Sequence, residues 1–200
     1  MQNVPRRTIS EINNVPRGTL FENYAALLVK WNQAINLVAK TTIDDLFVRH
    51  IEDSAQLYTL LDPEDVVVDL GSGAGLPGVI LSYMGVREVY LVESDKRKAA
   101  FLHEASRISP NKVTIINDRI ENVTHLQPTV ITARALAPLT KLLEFAVNIG
   151  FTKKCLFLKG KNYQSEIDEA QIKYNFKYNV YNSTTENNSC ILEIREIKKL

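Results

Sequence analysis

VVVDLGSGAGLPG, residues 66–78, is the stretch on which the reading of this chain turns. Val66, Val67 and Val68 are β-branched and apolar, as in a strand buried on both faces. Asp69 closes that strand, and Gly71, Gly73, Gly75 and Gly78 follow in quick succession. Glycine at this density lets backbone pass close to a ligand where a Cβ would collide. A strand, a glycine turn and a helix at the carboxyl edge of a parallel sheet form a cradle for a nucleotide-like ligand.

Downstream, strands and helices alternate. Short apolar runs at 66–70, 89–93, 113–117, 129–133 and 155–158 are separated by helical stretches, the pattern of a parallel sheet with helices on both faces. The ending breaks the alternation. After a polar helix around Gln164–Ile172, runs at Tyr178–Tyr181 and Ile191–Ile194 flank the polar segment NSTTENNS, which predicts an antiparallel hairpin. Upstream the period is helical: Tyr24, Leu27, Leu28, Trp31 and Ile35 recur at three- and four-residue steps, as do Leu46, Phe47, His50, Ile51, Ser54 and Leu57. Asp62-Pro63 ends the second pattern. The division expected is a helical cap over 1–62 and a Rossmann-like α/β domain over 63–200.

Composition narrows the function classes. Of 200 residues, 45% are hydrophobic and 24% charged, ordinary globular values. No apolar run approaches the roughly 18 residues of a membrane span, and MQNVPRRTIS lacks a signal peptide's apolar stretch, so a cytoplasmic, membrane-free protein is expected; a monomer is expected as well. Cys155 and Cys190 fall in strand-like runs and read as core, and no Cys or His pair has metal-ligand spacing. The net charge of +1 is low for a protein that coats nucleic acid, so any RNA contact must be local. Candidate clusters are Arg6, Arg7 and Arg17; Lys96, Arg97 and Lys98; and Lys153, Lys154, Lys159 and Lys161.

The glycine run fits two ligand templates. Gly73-Ala74-Gly75-Leu76-Pro77-Gly78 satisfies the dinucleotide pattern G-x-G-x-x-G, with Glu93 twenty residues after Gly73. However, Gly71 takes the place directly after the strand. An acidic residue two before the first glycine of G-x-G-x-G is the pattern of S-adenosylmethionine (SAM) methyltransferases, and it favours that reading. Glu93, ending VYLVE, is then placed to accept from ribose hydroxyls, and Asp118-Arg119-Ile120-Glu121 follows the third strand where adenine contacts are expected. The terminal hairpin agrees, because class I methyltransferases add antiparallel strands to a mostly parallel seven-stranded sheet.

Beyond these motifs the chain resembles one family, RsmG (GidB), the 16S rRNA guanine-N7 methyltransferases. The resemblance rests on WNQAINLVA (31–39), VRHIEDS (48–54), DLGSGAGLPG (69–78), VESDKRKAAFL (92–102), NDRIENV (117–123), ARALAPL (133–139) and LKGK (158–161), in the family's order. It implies that Gly71 and Leu76 line the SAM site, that Ile120 and Glu121 meet the adenosine, and that Arg134 lies beside the cofactor near the catalytic pocket, contributing by placement with no general base expected. The implied substrate is a guanine in the 530 loop of 16S rRNA, free or in the small subunit. Absent motifs agree: no (D/N)PP(Y/F) segment holds an exocyclic amine, and neither cysteine lies in a loop suited to attack a pyrimidine. Guanine N7 carries a free lone pair and needs alignment rather than a base.

Other residues carry two readings. His50, Asp53 and Ser54 share a predicted helix face, either shaping an RNA entrance or fixing the cap on the sheet. Asn36 is a possible helix C-terminal residue. Lys159 ends the fifth strand, where it would hold a phosphate or guanine O6, or stand as a surface lysine. Tyr24 and Trp31 lie on the apolar stripe and are expected to pack the cap.

Overall fold

A computed structural model of the chain describes residues 18–200 apart from His125 and Thr152. Arg6, Arg7 and Arg17 therefore lie outside the described residues. The strands are β1 (Val66–Leu70), β2 (Glu88–Val92), β3 (Lys112–Ile116), β4 (Val130–Arg134), β5 (Lys154–Lys159), β6 (Tyr174–Asn182) and β7 (Cys190–Lys199). They form one seven-stranded sheet in the order β3-β2-β1-β4-β5-β7-β6. The first five are parallel; β7 runs antiparallel to β5 and to β6. Strand order reverses between β1 and β4, which opens a crevice beyond their carboxyl ends.

Each face of the sheet has its own core. Val67 packs on one side with Tyr24, Leu28, Ile80, Leu91 and Phe101. Val68 and Leu70 point to the other side, among Ile131, Leu143, Phe157 and Leu192. The alternation along β1 thus fills two cores at once, which is why its sequence is apolar without a polar face. Cys155 and Cys190 are free and buried.

The cap begins with α1 (Gly18–Asn32), whose Tyr24, Leu28 and Asn32 are buried at four-residue steps. Tyr24 donates its hydroxyl to the Ala74 carbonyl in the glycine loop (2.6 Å). Trp31 sits edge-on to Phe101, ring centroids 5.9 Å apart, and donates Nε1–H to Glu104. Both aromatics pack the cap. The helix stops at Asn32 rather than near Asn36, because the Asn32 side chain takes over as partner of the backbone beyond: Oδ1 accepts from Leu37 N (2.8 Å) and Val38 N (3.0 Å).

The second helical run differs from the single α-helix its spacing predicts. It is a π-helical turn over Phe47–Glu52, an α turn over Asp53–Ala55 and a 3₁₀ turn over Gln56–Leu60. The wide first turn leaves Phe47 and Val48 exposed while His50 and Ile51 face inward. The helices α2 (Gly78–Tyr83), α3 (Lys96–Ser106), α4 (Leu139–Ile149) and α5 (Tyr163–Gln171) complete the layers. The hairpin strands are longer than the apolar runs suggest, and β6 is buried only at Tyr174 and Phe176, the rest lying outside the core.

Candidate functional site

The glycine loop after β1 is built from below. Asp69 is fully buried; its Oδ1 accepts from the Thr132 hydroxyl (2.8 Å) and its Oδ2 from Gly78 N (3.3 Å). Burial pushes this carboxyl up to about 6, against the pull of those hydrogen bonds and of Arg134. From above, Glu93 accepts Gly73 N–H on Oε2 (2.9 Å) and Asp95 N–H on Oε1 (2.8 Å). The loop is thus pinned between two carboxylates from adjacent strands.

A cleft of about 370 Å³ opens over the carboxyl ends of β1, β2 and β4. Gly71, Gly73, Glu93, Ile120, Glu121 and Leu136 are among its walls. Its volume lies within the range of small-molecule sites. Gly73 has φ +54°, and a Cβ built there meets nothing nearer than the Gly71 carbonyl oxygen at 3.7 Å, so the backbone faces open space. Gly71 (φ +61°) is different: a Cβ there would strike Leu136 Cδ1 at 2.5 Å. Ala135 holds φ +51° without being glycine, and this left-handed turn carries the chain from β4 into the cleft wall. The donor set suits SAM: a carboxylate for ribose hydroxyls, bare glycine backbone, and apolar walls for a flat base.

Not every residue expected in this cleft reaches it. Leu76 is buried in the core shared by Tyr24 and Val79 and is absent from the lining. Arg134, at the end of β4, turns away toward the cap. Its Nη2 donates to the Arg49 carbonyl (3.1 Å) and to His50 Nδ1 (2.5 Å), and its Nη1 to the His50 carbonyl (3.4 Å), with Asp53 Oδ2 at 3.5 Å. Because arginine has only donors, Nδ1 accepts and the ring proton sits on Nε2, which donates to Thr42 Oγ1 (2.7 Å). Burial and the two arginines hold His50 down to about 4, so it is neutral. His50 is 7% exposed with both nitrogens engaged, which removes it from RNA contact. His50 and Asp53 do not bond each other, as their spacing suggests; each bonds Arg134.

The seam continues into the β6–β7 turn. Thr185 Oγ1 donates to Asp53 Oδ1 (2.9 Å), Thr184 N to Gln56 Oε1 (2.7 Å), and Arg49 pairs with exposed Glu186 (3.6 Å). Desolvation raises Asp53, partly offset by Arg134 and Thr185. The polar segment after β6 reads in sequence as a plain loop; its Ser/Thr run facing Gln56 is visible only once the hairpin is folded beside the cap. Ser54 Oγ, fully buried, has no hydrogen-bond partner.

The basic candidates sort by what they already hold. The Lys159 side chain is 8% exposed: Nζ pairs with Glu166 (2.5 Å) and donates to the Ala137 carbonyl (3.0 Å), while Glu166 also accepts from Leu139 N (2.7 Å). It locks β5 to α4 and α5 and is not free for RNA. Lys153 pairs with Asp65 and Asp62, and Lys154 donates to the Leu60 carbonyl, at the opposite end of β5. Arg97 stays exposed beside Asp95 (3.6 Å), next to exposed Lys96.

The family model for GidB, rRNA small subunit methyltransferase G, matches residues 17–194. The chain belongs to the GidB family. Ribosomal RNA small subunit methyltransferase G of Orientia tsutsugamushi (strain Boryong) is 49% identical over 185 residues, 91% of this chain and 93% of that protein. The protein of the same name from Rickettsia rickettsii (strain Iowa) is 42% identical over the full length of both. Among solved structures, magnesium protoporphyrin IX methyltransferase (ChlM) from Synechocystis PCC 6803 with bound SAM superposes with TM-score 0.60 at 11% identity, covering 86% of this chain and 96% of that one. An MtNAS mutant in complex with S-adenosylmethionine gives 0.61 at 13%, covering 89% and 75%. These likenesses show the class I methyltransferase fold. No described helix of this GidB chain is long and apolar enough to cross a membrane.

Proposed function

We propose that this chain transfers a methyl group from SAM to N7 of a guanine in the 530 loop of 16S rRNA, acting on the small ribosomal subunit or its RNA. Membership of the family and the names of its relatives support the substrate class. One observation carries the cofactor: open space over Gly73 beside the Glu93 carboxylate, within a cleft of about 370 Å³.

Glu93 would hold the ribose hydroxyls, Gly71 and Gly73 would give backbone along the amino acid moiety, and Ile120 and Glu121 would flank the adenine. Bound SAM supplies an activated methyl on a sulfonium. The chain's own part is alignment. Leu136 walls the cleft over Gly71, and the Ala135 turn fixes that wall. Guanine N7 already has a free lone pair at neutral pH, so the residues around the cleft would need to orient the base rather than abstract a proton from it. Arg134 supports this by holding the cap against the carboxyl edge of the sheet, a positioning role.

The test is incubation of the protein with radiolabelled SAM and small subunits lacking the modification, followed by borohydride and aniline treatment, which cleaves at 7-methylguanine. A single labelled cleavage site in the 530 loop is expected. Label that resists cleavage, or falls on another molecule, would overturn the reading.

A further inference from the structure

Beside the cofactor cleft lies a second hollow, of about 360 Å³, between the cap loop after α1 and the start of α3. Gln33, Asn36, Lys40, Asp95, Arg97 and Lys98 line it. Lys98 lines both hollows, so they share a wall. We infer that this hollow is where the sugar–phosphate backbone of the RNA crosses the protein next to the target base, with Lys40, Arg97 and Lys98 facing phosphates. The inference rests on the RNA methyltransferase reading and locates the substrate on one side of the cleft.

Three observations carry it. The first is charge availability. No carboxylate among the described residues pairs with Lys40, Lys96 or Lys98, and the exposed Arg97 has only the half-buried Asp95 at 3.6 Å, a contact worth little. Asp95 itself is occupied, accepting Arg97 N (2.8 Å) and Lys98 N (3.1 Å) as the helix cap. The second is contrast with the other rim. There Arg119 pairs with Glu121 (3.3 Å) and Lys141 with Glu144 (3.0 Å), with Asp118 alongside, so that rim offers no surplus of cations. The lysines of β5 are engaged in the fold.

The third is preorganisation. Asn32 fastens the loop from beneath through Leu37 N, Val38 N and the Val38 carbonyl (3.2 Å), so Asn36 and Lys40 sit at fixed places facing α3. Exposed amides and cations without an aromatic platform suit phosphate and sugar rather than base stacking. The hollow would therefore grip the backbone while sequence is read elsewhere.

The experiment compares the full chain with the double variant Lys40→Ala/Arg97→Ala, sparing Lys98 because it also walls the cofactor cleft. Affinity for protein-free 16S rRNA and for small subunits is measured across a salt series, with SAM affinity by calorimetry in parallel. Each lost phosphate contact removes about 0.7–0.9 from the slope of log affinity against log salt. The double variant should lose about 1.5 in slope and bind both RNA forms roughly tenfold more weakly at low salt. SAM affinity should stay the same. A control, Lys198→Ala/Lys199→Ala at the far end of β7, should match the parent chain.

Unchanged slope and affinity would overturn the inference. A loss seen only with intact subunits would assign the hollow to a ribosomal protein instead, and a parallel loss of SAM binding would assign it to the cofactor cleft. Methyl transfer by the parent chain is scored separately: RNA binding with no rRNA methylation would overturn the proposed function while leaving this surface standing.

Discussion

The Glu93 carboxylate does two things at once. It accepts backbone N–H groups from Gly73 and Asp95 on different oxygens, and each oxygen keeps lone-pair capacity for a further donor. A ribose hydroxyl bound there makes a charge-assisted hydrogen bond, worth about 1.5–3 kcal/mol. Glu93→Gln turns one acceptor into a donor opposite a backbone N–H, so SAM affinity should fall about tenfold or more. Calorimetry showing parental affinity in a folded Glu93→Gln protein would remove Glu93 from the cofactor site. Gly73→Val separates folding from binding in a different way. Its Cβ enters open space, so the main cost to the fold is the left-handed backbone, at least about 1–2 kcal/mol for a β-branched residue. Thermal melting should therefore drop by only a few degrees while SAM binding is lost. A variant that melts normally and still binds SAM would show that no ligand passes over this backbone.

At the scale of elements, the seam between cap and sheet and the strand beneath the glycine loop give a pH signature with two opposing parts. His50 is held down to about 4 from an ordinary 6.5, so the unfolded chain takes up a proton that the folded one refuses between these values. Its contribution is present above pH 6.5 and is lost as pH falls toward 4, about 3 kcal/mol in all. Asp69 is shifted the other way, up to about 6 from 3.8. Its folded form keeps a proton that the unfolded form has lost, so about 3 kcal/mol is present below pH 3.8 and disappears as pH rises through 6. The two nearly cancel, and the parent chain should show a shallow stability profile between pH 4 and 6.5. His50→Gln should expose the Asp69 limb, with denaturant stability rising on acidification. Asp69→Asn should expose the His50 limb, with stability falling. Parallel profiles for all three proteins would mean that neither group titrates as its surroundings require.

Across the whole molecule, legibility followed the range of the interactions. β1 and its glycine loop were readable because the signal is local: β-branched residues for the strand, glycine for the turn. The parallel strands and the terminal hairpin followed from the alternation and its breakdown at the end, whereas the strand order comes from the fold itself. Long-range partnerships were not readable. Lys159 at a strand end looks like a ligand group until Glu166 and the Ala137 carbonyl are folded onto it. Arg134 looks like a cofactor residue until the π turn at Phe47–Glu52 brings His50 over its guanidinium. That same correction bears on the chemistry. His50, the histidine of the seam, is neutral, buried and bonded at both nitrogens, and Asp53 is held by Arg134, Thr185 and Gln56. Neither is placed to take a proton from a substrate. A general base contributes a factor of about 10²–10⁴ and writes its pKa into the rate profile. Single-turnover methylation by this chain should instead stay flat from about pH 6.5 to 8, the range above His50 and Asp69 and below the loss of the guanine N1 proton. Arg134→Lys keeps a cation at the seam but loses the forked contact to His50 and the Arg49 carbonyl, so it should lower the rate without adding a limb. A profile that rises through a value near neutrality, and flattens in His50→Gln, would place a working base at the seam and overturn catalysis by alignment.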